Sequence, residues 1–185
     1  MATCAKGLAA LCLALMQGSV AAAGSESLEN SVKAAYLAKF VLYIEWPSTA
    51  FTSPNSPLTL CIAGEDPFGP VLDKAVSDQR VGNRAMVVVR PKVIGRDSGC
   101  HILYVGVAEK LQSSIVGAMH SNGVLTVSDG RGPASAAAVI NFVIKDNRVR
   151  FDIDEDAAAR NGLTISSKLL SLALNVKRKT AEEPR

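Results

Sequence analysis

A chain of 185 residues, once a short leader is set aside, has the length of one domain with one continuous core. Its 20 basic and 17 acidic residues balance to a net charge of +3, with no basic stripe interleaved with aromatics, which argues against nucleic-acid binding. The two cysteines left once the leader is set aside, with two histidines, lack any zinc spacing, which argues against a zinc site.

The chain opens MATCAKGLAALCLALMQGSVAAAG. Lys6 supplies a positive charge, Gly7 to Met16 an apolar run, and Ser19 to Ala23 small residues suited to cleavage, the three-part layout of a secretory signal peptide over residues 1–23. The apolar run is about half of the roughly 20 residues that cross a bilayer. Export with cleavage after Ala22 or Ala23 is therefore expected, and Leu11 before Cys12 lacks the small residue that a lipid-anchored leader needs. No second apolar span follows, so a soluble product without direct membrane insertion is expected. Loss of Lys6 takes the basic count from 20 to 19 against 17 acidic residues, a net charge of +2.

Cys4 and Cys12 leave with the leader, so only Cys61 and Cys100 remain. In an oxidising compartment their default state is an intramolecular disulfide, closing a loop of about 40 residues worth roughly 4 kcal/mol in the chain-entropy model. The rival is a Cys100–His101 nucleophile, but neighbours in a strand point to opposite faces, which separates the thiol from the imidazole.

Glu26 to Trp46 reads as one amphipathic helix: Val32, Tyr36, Phe40 and Ile44 form an i, i+4 ladder, widened by Leu37 and Val41. Pro47 ends it. Leu58 to Ala63 is short, apolar and bounded by turn residues, hence a buried strand. Asp66 as N-cap with Pro67 at the first position predicts a helix through Ser77. Strands follow at Met86 to Arg90 and Cys100 to Val105. A helix over EKLQSSIVGAMHS, an Asn122-Gly123 turn and the strand VLTVS come next.

The segment AAVINFVIKDNRVRFDID then reads as a hairpin with a tight turn at Asp146-Asn147. A short helix from Glu155 to Asn161 is capped by Gly162. A second, over ISSKLLSLALNV, would put Ile165, Leu169, Leu172 and Val176 on one face, before a polar, disordered tail over residues 177–185. Alternating strands and helices predict an α/β fold: a single compact domain over residues 24–176, with a mixed, mostly parallel sheet flanked by helices, a C-terminal hairpin and two short helices.

No catalytic constellation emerges, and neither a cofactor nor a metal is expected. DGRGP lacks the lysine and hydroxyl of a phosphate loop, so a plain turn is favoured. DIDEDA alternates Asp152, Asp154 and Asp156 like a calcium loop, but Ala157 replaces the turn glycine and Leu163 the final acid, so three solvent-facing carboxylates are expected. Ser166, Ser167 and Lys168 miss the SxxK spacing, with Ile165 where the serine belongs. His120 ends a helix and His101 reads as a strand residue.

The blocks VKAAYLAKFVLYIEWP, LCIAGEDPFG, CHILYVG and VRFDIDEDAAARNGLTISSKLLSLALNV resemble the YfiR family of small exported proteins across nearly the whole mature chain. The family often has asparagine at the position of Asp154 and a glycine pair at Ala137 and Ala138. The resemblance implies a periplasmic regulator, not an enzyme, that binds the periplasmic sensory domain of an inner-membrane diguanylate cyclase and represses cyclic di-GMP synthesis. It also implies a paired, redox-responsive Cys61 and Cys100, and it is compatible with a homodimer. Candidate partner-binding anchors are Phe151, Ile153, Leu163 and Ile165, because the C-terminal segments are apolar beyond the needs of one sheet face; core packing is the alternative for each. A second hypothesis is a small-ligand sensor with its pocket at the turns after Ala63, Val105 and Val127, beyond the carboxyl ends of the strands.

Overall fold

The computed structural model describes residues 19–106, 112–119, 122–130 and 137–178. The bulk of the leader, His120, the Arg131-Gly132-Pro133 turn and residues 179–185 lie outside that set, so expectations there stand as stated.

Helix α1 runs Ser19–Phe40 and gives way to a 3-10 turn at Val41–Tyr43. The predicted helix through Trp46 is thus six residues too long. Ile44–Glu45 is strand β1, and the physical reason is a competing partner for its backbone: it pairs antiparallel with β9, Thr164–Ile165, in the register Ile44↔Ile165. The Ser166 amide continues the ladder by donating to the Tyr43 carbonyl at 2.9 Å.

Strand β2, Leu58–Ala63, forms as predicted. Helix α2 spans Pro70–Ser77, starting later than the Asp66-Pro67 signal suggested, because Gly69 sits at φ +50 and breaks any earlier turn. Pro70, not Pro67, takes the first helical turn. Asp66 instead closes a local turn by accepting the Phe68 amide at 2.8 Å. Strand β3, Arg80–Val81, pairs antiparallel with β4, Arg84–Val89, around Gly82 at φ +58. Strand β5 covers Ile102–Val105, α3 Gln112–Ala118 and β6 Leu125–Asp129.

The predicted hairpin is present as β7, Ile140–Lys145, and β8, Arg148–Asp154. Its two-residue turn holds Asp146 at φ +50 and Asn147 at φ +57, the left-handed pair that Asp and Asn tolerate best after glycine. Helix α4, Glu155–Arg160, ends before Gly162 at φ +68, also as predicted.

ISSKLLSLALNV is not one helix. Ser166 caps a single turn, α5 at Ser167–Leu170, and Val176–Lys177 forms β10, parallel to β8. Leu172 is exposed. The sheet wins this segment because its backbone finds partners there: the Leu174 amide donates to the Phe151 carbonyl at 2.8 Å and the Ile153 amide to the Asn175 carbonyl at 3.0 Å. Ordered pairing therefore extends into Lys177, one residue past the expected domain end.

The main sheet has eight strands in the order β10-β8-β7-β6-β5-β2-β4-β3. Strands β4, β2, β5, β6 and β7 are mutually parallel, with antiparallel β8 and β3 outside them. The fold is α/β with a mixed, mostly parallel sheet, as expected from the sequence. Period-two alternation sends Leu60, Ile62, Ile102 and Tyr104 to the face covered by α1 and α2. Cys61, Ala63, Leu103 and Val105 point to the other, under Val116 of α3 and Met119. Direction of travel across the sheet reverses between β2 and β5, and at such a point an open α/β sheet leaves a crevice beyond its carboxyl ends.

Candidate functional site at the disulfide and the carboxyl edge

Cys61, in the middle of the sheet, is bonded to Cys100, which lies 39 residues later and just ahead of β5, with Cα atoms 5.7 Å apart. The expected pairing is therefore present. It takes both sulfurs out of nucleophilic chemistry.

His101 is not a regular strand residue but a buried bend residue whose two ring nitrogens are both committed. Nδ1 accepts the Thr59 amide at 3.1 Å, which leaves Nε2–H to donate to the Ala50 carbonyl at 3.0 Å. The imidazole is thus held neutral in one tautomer. Phe51 stacks on it at 4.6 Å between ring centroids, and the Arg84 guanidinium lies 3.7 Å over the Phe51 ring while donating to the Ser53 and Ser56 carbonyls. Together these contacts tie the loop before β2 to the sheet beside Cys100.

Burial, and to a lesser degree the Arg84 charge, lowers the His101 pKa below its ordinary 6.5, against an opposing hydrogen bond to Ala50. A depressed folded pKa means that the neutral ring contributes stability above pH 6.5, which is lost as pH falls through the folded value. Melting temperature is expected to drop as pH falls below 6.5 in the wild type and to drop less steeply in His101→Gln. Parallel thermal melts across that range check it; equal slopes would remove His101 from the account.

At the carboxyl edge the structure assembles a polar cluster that sequence reasoning missed. Lys33 of α1 is only 4 % exposed and donates to Asp129 Oδ2 at the end of β6, at 2.6 Å, and to Glu29 one turn earlier. The Tyr104 hydroxyl donates to the same Asp129 oxygen at 2.9 Å, and its ring meets Phe68 edge-on at 4.7 Å. Burial alone would lower the Lys33 pKa, but hydrogen bonds to Asp129 and Glu29 with their charges outweigh it and raise the net value. Burial first, and then the Asp129 charge, push the Tyr104 phenol well above its usual range. The cluster is a charged clamp between α1 and the sheet.

A signal for it existed. The buried face of α1 is Lys33, Ala34, Leu37, Ala38 and Phe40, continued by Val41 of the 3-10 turn; it shares Phe40 with the expected ladder but takes Lys33 and Leu37 in place of Val32 and Tyr36, so a lysine lies on the inward stripe. Val32 is correspondingly exposed.

The family model described as YfiR/HmsC-like matches residues 30–174, most of the chain, including α1 from its second turn of described side chains, both cysteines and the whole C-terminal hairpin region. The chain belongs to the YfiR/HmsC-like family. YfiR/HmsC-like proteins are periplasmic regulators in cyclic di-GMP signalling, working with a membrane signalling partner, and are not known as enzymes.

Within this YfiR/HmsC-like domain the DIDEDA carboxylates do not all face solvent as expected. Asp154 is buried and accepts the Ala157 amide at 2.8 Å as the N-cap of α4, while Lys177 donates to its other oxygen at 2.8 Å. Asp152 accepts from Asn175 at 2.8 Å. Alternation is overridden because the strand ends at Asp154 and turns into a helix whose free amides need an acceptor. Among the described residues no group of three His, Cys, Asp or Glu side chains is placed to hold a metal. Asp154→Ala is expected to cost about 1–2 kcal/mol and lower Tm by roughly 3–6 °C, whereas Asp154→Asn, which can also cap, retains most of the stability. Thermal melts of both variants test the capping role.

Phe151, Ile153 and Leu163, expected as partner-binding anchors, are 1 %, 2 % and 5 % exposed and belong to the core. Phe151 is wedged edge-on against Phe40 and Tyr36, at 5.2 and 5.4 Å between centroids, with Phe40 also stacked on Phe142. Ile165 is partly buried against the same core. The surplus apolar content of the C-terminal segments is absorbed by α1, which crosses the hairpin face. Packing, the alternative raised for these four residues, is their observed environment.

Proposed function

We propose that residues 1–23 are a cleaved leader and that the domain from residue 24 onward acts in the periplasm as an inhibitor: it binds the periplasmic sensory domain of an inner-membrane diguanylate cyclase and holds cyclic di-GMP synthesis down. The carrying observation is the family match over residues 30–174. The Cys61–Cys100 bond supports it, because such a bridge persists in an oxidising compartment. The bridge in turn makes the domain redox-responsive. An inhibitor of this kind need only bind the inactive cyclase state more tightly than the active one, and a tenfold preference corresponds to about 1.4 kcal/mol.

A small-ligand sensor would place its ligand at the carboxyl edge. The charged groups found there, Lys33, Glu29 and Asp129, are already paired with one another, so inhibition through a protein partner is the favoured reading.

Deleting the gene is expected to raise cellular cyclic di-GMP and surface attachment, and re-expression of the exported chain to restore both. A chain without its leader should fail to complement. Unchanged cyclic di-GMP on deletion would sink the inhibitor reading.

A further inference from the structure

Outside the clamp, α1 leaves an apolar stripe uncovered. Leu28 and Val32 are 68 % and 37 % exposed, and the hairpin residue Ile144 beside them is 46 % exposed. Single exposed aliphatics are ordinary, but these three line one hollow of about 320 Å³ with Val149, and Val32 is shared with a second of about 260 Å³ beside Ala35 and Tyr36. The first hollow lies between α1 and the hairpin tip, and the second continues from the shared Val32 along the outer face of α1, so that the two form one groove.

The rim of this groove is cationic. Lys39 lines one hollow and Arg148 the other. Lys145 and Arg148 are directly opposed in the hairpin register, with Val143 opposed to Arg150 beside them. Like charges facing each other across strands destabilise a hairpin, so the chain tolerates a cost here. None of these cations has an ion-pair partner among the described residues, whereas Lys33, Arg90 and Lys177 all do. Glu29, the one acid on the groove wall, is occupied by Lys33.

We propose that the groove between α1 and the β7–β8 hairpin seats an acidic, amphipathic segment of the membrane partner, its apolar side chains entering between Leu28, Val32 and Ile144 and its carboxylates meeting Lys39 and Arg148. A concave groove admits protruding side chains, which a flat lipid surface does not offer, and a second copy of this chain would bring the same positive rim against itself. This assignment rests on the inhibitor reading above and names the surface that performs it.

The test places the photocrosslinking residue p-benzoylphenylalanine at position 32 of the full chain, expressed in its own cells, with position 172 as a control: Leu172 is also exposed but lines neither hollow. Expected is an adduct from position 32 whose sequenced peptide belongs to a membrane protein and carries carboxylates flanking apolar residues. Adding Lys39→Glu and Arg148→Glu should cut its yield about tenfold without lowering the melting temperature, since both side chains are exposed and unpaired and a glutamate at position 148 faces Lys145 across the hairpin. The proposal is overturned if position 32 gives no adduct, or only adducts with lipid, with another copy of the chain or with a segment lacking acids, or if the charge reversals leave the yield unchanged. A membrane signalling protein captured from position 172 alone would overturn this surface while leaving the inhibitor reading intact; that reading stands or falls on the deletion measurement.

Discussion

Replacing Cys61 and Cys100 together by alanine is expected to cost the domain about 4 kcal/mol and to lower its melting temperature by roughly 8–16 °C, without loss of the fold. The size follows from the 39-residue separation that the bridge spans, because an unfolded chain freed of that link gains the corresponding loop entropy. The fold survives because β2 and β5 remain neighbours by their own ladder, from Leu60↔Ile102 to Ala63↔Val105. What loosens first is the long connection between β4 and β5, whose end the Cys100 side chain ties across to β2. Non-reducing mass analysis of exported protein should show the chain lighter than its reduced form by two hydrogens. A reductant should then lower the wild-type melting temperature toward that of the double variant and leave the variant unmoved. If reduced and oxidised wild type melt together, the bridge contributes nothing and the redox-responsive part of the proposed function loses its basis.

Lys33→Met is expected to destabilise by about 2–4 kcal/mol, or roughly 4–16 °C in Tm, more than an exposed ion pair would justify and less than a fully buried one. Methionine matches the stem of lysine, so little packing is lost. What remains is the Asp129 carboxylate, largely shielded with its side chain 17 % exposed, with the Tyr104 hydroxyl but without its cation. Removing the second charge as well, in Lys33→Met with Asp129→Leu, should recover part of the loss, and the non-additivity measures the coupling. The pH dependence has a definite sign. The folded pKa of Lys33 is raised above 10.5, so its contribution is complete below pH 10.5 and is lost as pH rises through the folded value. Tyr104, also raised above its ordinary 10.0, acts in the same direction, favouring the neutral phenol until strong alkali. Denaturant titrations should therefore show wild-type stability falling above about pH 10, and falling less in Lys33→Met. An additive double variant, or a Lys33→Met protein as stable as wild type, would show that the clamp does not hold α1 to the sheet.

The clamp bears on the proposed docking surface. The outward stripe of α1 keeps its orientation because its inward stripe is pinned: Lys33 to Asp129 at one end, and the Phe40 ring among Phe142 and Phe151 at the other. A helix that could roll by one residue would exchange Val32 with Lys33 and destroy the groove.

How much of this was legible beforehand differs from element to element. Leu58–Ala63 was readable because a central strand is apolar on both faces and bounded by turn residues. The Asp146-Asn147 turn and the Gly162 cap were readable because their chemistry is complete within two or three residues. The family resemblance was legible from blocks spread along the chain, and the disulfide from cysteine arithmetic once export was assumed. The limits appear where two elements compete for one backbone: Ile44 leaves its helix for Ile165, and Val176 leaves its helix for Ile153.

By itself, then, the sequence determined the strand-and-helix alternation, the hairpin turn, the cysteine pair and the family, since each is written in local spacing or in blocks that need no partner to be recognised. Only the tertiary structure decided which stripe of α1 faces inward, that Phe151 and Ile153 are core rather than surface, that Asp154 is a buried cap, and that a lysine is clamped at the carboxyl edge. The physical reason is distance along the chain. Lys33 and Asp129 are 96 residues apart, and no periodicity within a helix records what will be packed against it.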